Sequence, residues 1–200
     1  MNIELSSEHF ERFFAARAGY IVCMADSESQ RREVAGLVDR MYSWRGYQCE
    51  STAHLSEDPN RTVFQVRRGD RVIATLTLRM DSQAGLLADG LYRDEIELFR
   101  GMGGRLCELT GLAVAPDEDS PEVLRALFKA AYLVGHDHHG ASDVFIEINP
   151  RHVSYYRRIG FRAVGPLRTC PRVAAPAILM HLDLDDWEQD MLLKRRIAAA

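Results

Sequence analysis

The chain has 200 residues, 46% of them hydrophobic, which supplies one α/β domain with a buried core. Its formal net charge of -4 provides no global basic field of the kind that draws a protein to nucleic acid. No apolar run reaches the roughly 18 residues of a membrane helix and no repeat or low-complexity tract is present, so membrane spanning is excluded while peripheral contact with acyl chains is not.

Residues 8–18 carry Phe10, Phe13 and Phe14 at helical spacing and predict an opening helix, with a buried strand, GYIVCMA, at 19–25. Asp26 or Ser27 caps a second helix whose apolar positions Val34, Leu37, Val38, Met41 and Tyr42 keep period as far as Trp44. Gly46 in WRGY is its left-handed stop, and packing accounts for Trp44 and Tyr47 on either side. Residues 50–61 are polar, contain Pro59 and form a loop. TVFQVRRGDRVIATLTLRMD, at 62–81, then predicts a hairpin around RRGD. Residues 82–103, punctuated by glycines, make an excursion with a short helix near Tyr92 to Phe99.

CELTGLAVAP, at 107–116, is strand-like and leads into an amphipathic helix between Ser120 and His138, begun by Ser120 with Pro121 at its first position. The strand DVFIEINP follows at 143–150, and a helical crossover between two strands makes them parallel. YYRRIGF supplies a short helix and the start of another strand, APAILMHLDLD at 175–185 is a late strand, and a helical tail runs from 185 to 200. No linker divides the chain, so residues 1–200 are expected to form one domain. Cys23, Cys49, Cys107 and Cys170 lack CxxC spacing and follow no leader, which predicts reduced thiols in a cytoplasmic protein.

The order strand, hairpin, ELTGLAVAP strand, helix, strand, short helix and GF strand resembles the GNAT acyltransferase superfamily. Its pattern of an Asn seven residues before a Tyr, followed by a GF pair, is met by Asn149, Tyr156, Gly160 and Phe161. The resemblance implies an α/β fold with a mixed, mostly antiparallel sheet and flanking helices. It also implies that the two central parallel strands splay apart to admit the pantetheine arm of an acyl thioester. Backbone groups of Leu112, Ala113 and Val114 would then pair with that arm, since splaying leaves them without ladder partners. Most GNAT enzymes follow the central strand with a turn of the form R/QxxGxG/A that cradles the CoA pyrophosphate. This chain has PDEDSPEVL there, which lacks the glycines and brings Asp117, Glu118 and Asp119 towards the phosphates. Acyl carrier protein presents the same arm without adenosine diphosphate and is the expected donor, with CoA the second possibility.

The blocks WRGY (44–47), VIATLTLRMDS (72–82), GLLADGLY (85–92), CELTGLAV (107–114), NPRHVSYYRRIGF (149–161) and CPRVAAPAILMHL (170–182) are similar to the FeeM-like N-acyl amino acid synthases. These are relatives of the autoinducer synthases. Membership implies transfer of a long-chain fatty acyl group to the α-amine of an amino acid. The ELTGL segment differs from the ESSR or ESRL type of the autoinducer synthases, which argues against homoserine lactone as the product. The same fold would also suit an acetyl-CoA-dependent N-acetyltransferase, or a non-catalytic module that binds a lipid or a protein partner.

An amine attacks a thioester only when neutral, so the reaction needs a proton acceptor, and Glu108 on the central strand is the candidate base, or else a strand glutamate paired with an arginine. Tyr156 matches the superfamily tyrosine that protonates the leaving thiolate, although a tyrosine before a GF turn is as readily a core residue. Arg79, ending the second hairpin strand, is placed to hold Glu108 or to clamp the acceptor's carboxylate, and a surface arginine is the simpler role. The oxyanion is expected to meet a backbone N–H near Ala113 or Val114. Arg151, His152, Arg157 and Arg158, with Asn149, form a basic cluster suited to an acidic carrier protein and its phosphopantetheine, or else a solvated helix face. His136, His138 and His139 have no further ligands at metal-binding spacing and are expected to be a polar helix end; no metal is expected.

Overall fold

The structure, a computed structural model, describes residues 19–47, 58–118 and 121–187. The expected opening helix, most of the 50–61 loop, Cys49 and the tail beyond 187 lie outside these residues. The strands are β1 (Ile21–Met24), β2 (Arg61–Arg68), β3 (Arg71–Met80), β4 (Leu106–Val114), β5 (Asp143–Ile148), β6 (Arg162–Ala163), β7 (Arg168–Cys170) and β8 (Ala175–Asp183). They form a mixed sheet in the order β1-β2-β3-β4-β5-β8-β6, with β7 also on β8. β4 and β5 are parallel and the sheet is otherwise mostly antiparallel, flanked by helices, which is the expected GNAT-like architecture. The chain divides into two compact units, one of residues up to Arg79 with Leu109–Leu133, the other of Met80–Glu108 with Val134 onwards.

In the first unit, α1 (Glu28–Trp44) starts where the sequence indicates. Ser27 Oγ accepts from the Gln30 amide at 3.2 Å and Gln30 Oε1 accepts from the Ser27 amide at 3.1 Å, a reciprocal capping box. Gly46, at φ +76°, turns the chain so that the Tyr47 amide reaches the Tyr42 carbonyl at 3.0 Å and ends the helix. Val34, Leu37, Val38 and Met41 on the inner face of α1 pack with Val63, Val72, Ala113 and Ala115 from the strands. Tyr47 packs edge-on against Tyr42, as expected, but Trp44 does not pack: it is 73% exposed, because the helix's last turn carries it past the buried stripe. β2 and β3 pair from Arg61 opposite Arg79 to Arg68 opposite Arg71, so Gly69 and Asp70 make the two-residue turn.

The long amphipathic pattern yields two elements rather than one. α3 (Pro121–Tyr132) buries Val123, Leu127, Ala130 and Ala131, and then gives way to a π-helical segment (Leu133–His138). There the His139 amide bonds the Val134 carbonyl, five residues back.

In the second unit, α2 (Asp89–Gly101) begins three residues before the expected helix and kinks at Tyr92, whose φ of -130° leaves the helical region. Leu86, Tyr92, Ile96, Leu106, Phe145 and Leu179 form its core. β5 and β8 pair from Asp143 opposite Asp183 to Ile148 opposite Ile178. α4 (Val153–Ile159) ends at Gly160 with φ +117°, and the strand after the GF pair is only the two residues of β6. β7 is a strand that hydrophobic alternation did not mark. Cys23, Cys107 and Cys170 are buried.

His136 bridges two carboxylates, Asp137 at 2.8 Å and Asp185 at 2.9 Å. Burial pulls its pKa down, but hydrogen bonds to both aspartates outweigh that and raise it. A raised folded value means that the contribution to stability is complete below about pH 6.5 and is lost as pH rises through the folded value. The melting temperature of the native protein should therefore fall between about pH 6 and pH 8.5 by more than that of Asp185→Asn. Parallel thermal melts check this, and equal slopes would remove the His136 link.

Candidate active site

Glu108 lies on β4 with 2% of its surface exposed, a position in which an ionised carboxylate needs donors. Two of its donors are backbone amides. The Leu87 amide donates to Oε1 at 2.6 Å and the Ala88 amide to Oε2 at 3.1 Å. The preceding amide, Leu86, donates at 2.7 Å to Asp89 Oδ2. Three successive N–H groups thus face two carboxylates, the anion-holding geometry of a backbone nest. Gly85 makes it possible: its φ is +75°, and a Cβ there would sit 2.5 Å from Asp89 Oδ2. The GLLADGLY block is therefore the strap that holds Glu108, a role its sequence did not disclose.

Asp89 is held in turn by Arg100, whose Nη1 and Nη2 donate to it at 2.8 and 2.6 Å, while Nε and Nη2 donate to Asp81 at 2.6 and 2.9 Å. Burial raises the pKa of Asp89, yet the bonds from Arg100 and the Leu86 amide lower it further, so the carboxylate stays charged. Tyr92 closes the strap from below. Its hydroxyl donates to the Ala177 and Pro166 carbonyls at 2.7 and 3.1 Å, and burial first, then Glu147, push its pKa up to about 12.

Arg172 stands in the turn between β7 and β8. It donates to the Leu87 carbonyl at 2.9 Å and to Glu147 on β5 at 2.7 Å.

Tyr156 is buried on α4, edge-on to Tyr155 and Phe161 with ring centroids at 5.2 and 5.6 Å. The side chain of Asn149 accepts from the Arg151 amide at 3.2 Å and caps the 3-10 turn Pro150–His152. Arg151, Arg157 and Arg158 are all exposed, with the latter two on the last turn of α4.

In the first unit, Gly111 within β4 has φ +60°, the conformation of a bulge glycine, just before Leu112, Ala113 and Val114. A glycine inside a strand pattern is the signal that could have marked it. An L side chain there would cost about 1–2 kcal/mol. Arg79 pairs with Asp58 at 2.6 Å, and its cross-strand neighbour is Arg61. Arg61 and Asp58, with Asp26 and Arg31, line an open cleft of about 420 Å³. Burial, then Arg79, lower the pKa of Arg61, and Arg31 adds to this while Asp58 opposes it.

The acidic turn after β4 is not an isolated negative patch. Asp117 receives two bonds from Arg71 at 2.5 and 2.7 Å, which bring its pKa down to about 2, and Glu118 pairs with Arg68 at 3.0 Å. The repulsion of a pyrophosphate expected from formal charge is weakened by these partners, whereas the missing glycines are a matter of sequence and remain.

Among the described residues no group of His, Cys, Asp or Glu is placed to hold a metal ion, and no helix is long and apolar enough to cross a membrane.

The mixed sheet with β4 and β5 parallel defines a GNAT-like fold, and a family match makes the chain an N-acyltransferase. A family model described as the N-acyl amino acid synthase FeeM matches residues 33–183, and the chain belongs to that family. FeeM itself, an N-acyl amino acid synthase from uncultured soil microbes, has a solved structure that superposes with a TM-score of 0.81 at 26% identity, over 88% of this chain and 97% of that one. The ribosomal-protein-S18-alanine N-acetyltransferase of Escherichia coli shares the fold, with a TM-score of 0.58 at 14% identity over 82% of this chain and 94% of its own. So does an acyl-CoA N-acyltransferase of Pseudomonas aeruginosa, at 0.58 and 14% over 81% and 97%. Among curated protein sequences none matches the chain.

Arg100→Gln leaves Asp81 and Asp89 without their shared cation and should cost about 3 kcal/mol of stability. Urea unfolding measures it, and a loss under about 1 kcal/mol would show that the strap does not depend on Arg100.

Proposed function

We propose that the chain transfers a long-chain fatty acyl group from acyl carrier protein to the α-amine of an amino acid. The observation that carries this reading is the buried Glu108 carboxylate on β4, in a chain that belongs to the FeeM family. The amine nitrogen attacks the thioester carbonyl, and its proton passes to Glu108, directly or through a water. The Leu87 and Ala88 amides hold one oxygen of Glu108 each, which fixes the orientation of the carboxylate. The tetrahedral oxyanion is met by a backbone N–H at Ala113 or Val114, beyond the bulge at Gly111. As the C–S bond breaks, Tyr156 gives its proton to the pantetheine thiolate.

The acceptor's carboxylate is assigned to Arg79, whose guanidinium pairs with Asp58 at 2.6 Å. The pantetheine arm pairs with the backbone of Leu112–Val114. Exposed Arg151, Arg157 and Arg158, beside Asn149, meet the acidic carrier protein. The protein acts in the cytoplasm on this reading. One observation favours a second donor: with Asp117 and Glu118 paired to Arg71 and Arg68, an acyl-CoA is repelled less than formal charge implies.

Glu108→Gln should lower kcat by about 10²-fold or more in an assay of free thiol release from acylated carrier protein, with the N-acyl amino acid identified by mass spectrometry. A variant as fast as the native protein would remove Glu108 as base. Arg157→Ala together with Arg158→Ala should raise KM for the acylated carrier protein by about tenfold and leave KM for the same acyl-CoA unchanged. Equal effects on both donors, or a native protein that uses only acyl-CoA, would assign the donor to CoA.

A further inference from the structure

Arg172 has no part in the roles assigned so far. Its guanidinium forks between two elements: Nη1 donates to the Leu87 carbonyl at 2.9 Å and Nη2 to Glu147 Oε2 at 2.7 Å. The Leu87 carbonyl shares its peptide plane with the Ala88 amide, which holds Glu108 Oε2 at 3.1 Å, and the Leu87 amide one plane earlier holds Oε1 at 2.6 Å. A peptide plane is rigid, so fixing the carbonyl at one residue limits how the adjoining backbone aims its N–H groups. The Leu87 side chain is 40% exposed, and so contributes less packing to the strap than the buried side chains of Leu86 and Ala88 do. Glu147 is the fixed end of the fork, with a side chain only 10% exposed, and Cys170 on β7 bonds the same carboxylate.

We propose that Arg172 is a positioning residue for the acyl transfer: anchored on Glu147, it clamps the Leu87 peptide and so fixes the orientation of the Glu108 carboxylate. The inference rests on Glu108 acting as base. Arg172 touches neither donor nor acceptor in this scheme. Its loss therefore loosens the geometry of proton transfer without weakening substrate binding, and small misplacements of a catalytic group are costly. Glu147 is the second member of the device, because without it the guanidinium has nothing to brace against.

The test compares Arg172→Gln, Arg172→Lys and Glu147→Gln with the native enzyme in steady-state acyl transfer, and follows hydrogen exchange of the peptide spanning residues 85–90. Arg168→Gln is the control. Arg168 joins Glu95 and the Leu91 carbonyl from β7 in the same manner and lies over the Tyr92 ring at 4.8 Å, but these hydrogen bonds go to residues 91 and 95 rather than to the Leu87 peptide. Arg172→Gln should lower kcat about tenfold or more with both KM values within about twofold, and should speed exchange in 85–90. Arg172→Lys should recover part of kcat, Glu147→Gln should reproduce the loss in part, and Arg168→Gln should keep native kcat. Native kcat in Arg172→Gln alongside an inactive Glu108→Gln would overturn the proposal and leave the base assignment standing. Full activity in Glu108→Gln would instead remove the base, and unchanged exchange in Arg172→Gln would then dispose of the clamp as well. Should Arg172→Gln fail to fold, Arg172→Lys and Glu147→Gln carry the same comparison.

Discussion

A carboxylate in a nearly dry position must be given hydrogen-bond donors, and in this protein Glu108 takes two of them from the backbone of residues 87 and 88. Much of the second unit is arranged around that requirement. Gly85 allows the chain to enter the strap with a positive φ, Asp89 takes the amide before the pair, and Arg100 neutralises Asp89 together with Asp81. Tyr92 lies beneath, fully buried, with its hydroxyl spent on two carbonyls. A site supported in this way is preorganised, since the groups that hold the carboxylate are themselves held.

The first unit supplies a different kind of constraint. Its hairpin turn carries Arg68 and Arg71, and these bind Glu118 and Asp117 in the turn that follows β4. That turn is where the superfamily places its phosphate-cradling glycines, and here it is braced by ion pairs. The exchange of a flexible glycine-rich cradle for a salt-bridged acidic turn makes the donor's identity the most informative property of this enzyme. The left-handed Gly111 adds a second local departure from regular structure, in the strand that carries the proposed base. Both features lie close in sequence to Glu108 and to the backbone of Leu112–Val114.

Hydrophobic period and cap residues made α1, the hairpin, β4, β5 and β8 legible, because each is specified by its own few residues: Ser27 and Gln30, Gly46, Gly69. The order of these elements, with the Asn149, Tyr156 and GF spacing, was enough for the family. Legibility stopped where an element depends on something distant in the chain. β7 has too little alternation to be read and exists because β8 is there to pair with it. The continuous apolar pattern of 120–138 concealed a change from α to π hydrogen bonding, which keeps a similar buried stripe. Trp44 looked like core by residue type, and only its place on the last turn of α1 exposes it.

The same division runs through the site. That Glu108 sits on a buried strand follows from CELTGLAV, since a lone carboxylate within a strongly apolar run has to be accommodated. What accommodates it comes from residues 21 and 20 positions earlier in the chain, and a strap of backbone amides has no side-chain signature to read. Arg79 was as ready to face Glu108 as to face a substrate on paper, and the fold also supplies it with Asp58, from before the hairpin. Arg172 and Glu147 are ordinary charged residues in sequence and become a clamp only when the turn after β7 meets β5 and residue 87. Local sequence by itself determined most of the helices and strands and the fold they build, but not β7 or the change from α to π hydrogen bonding. Partnership between segments, which depends on where the folded chain returns, was decided by tertiary structure alone.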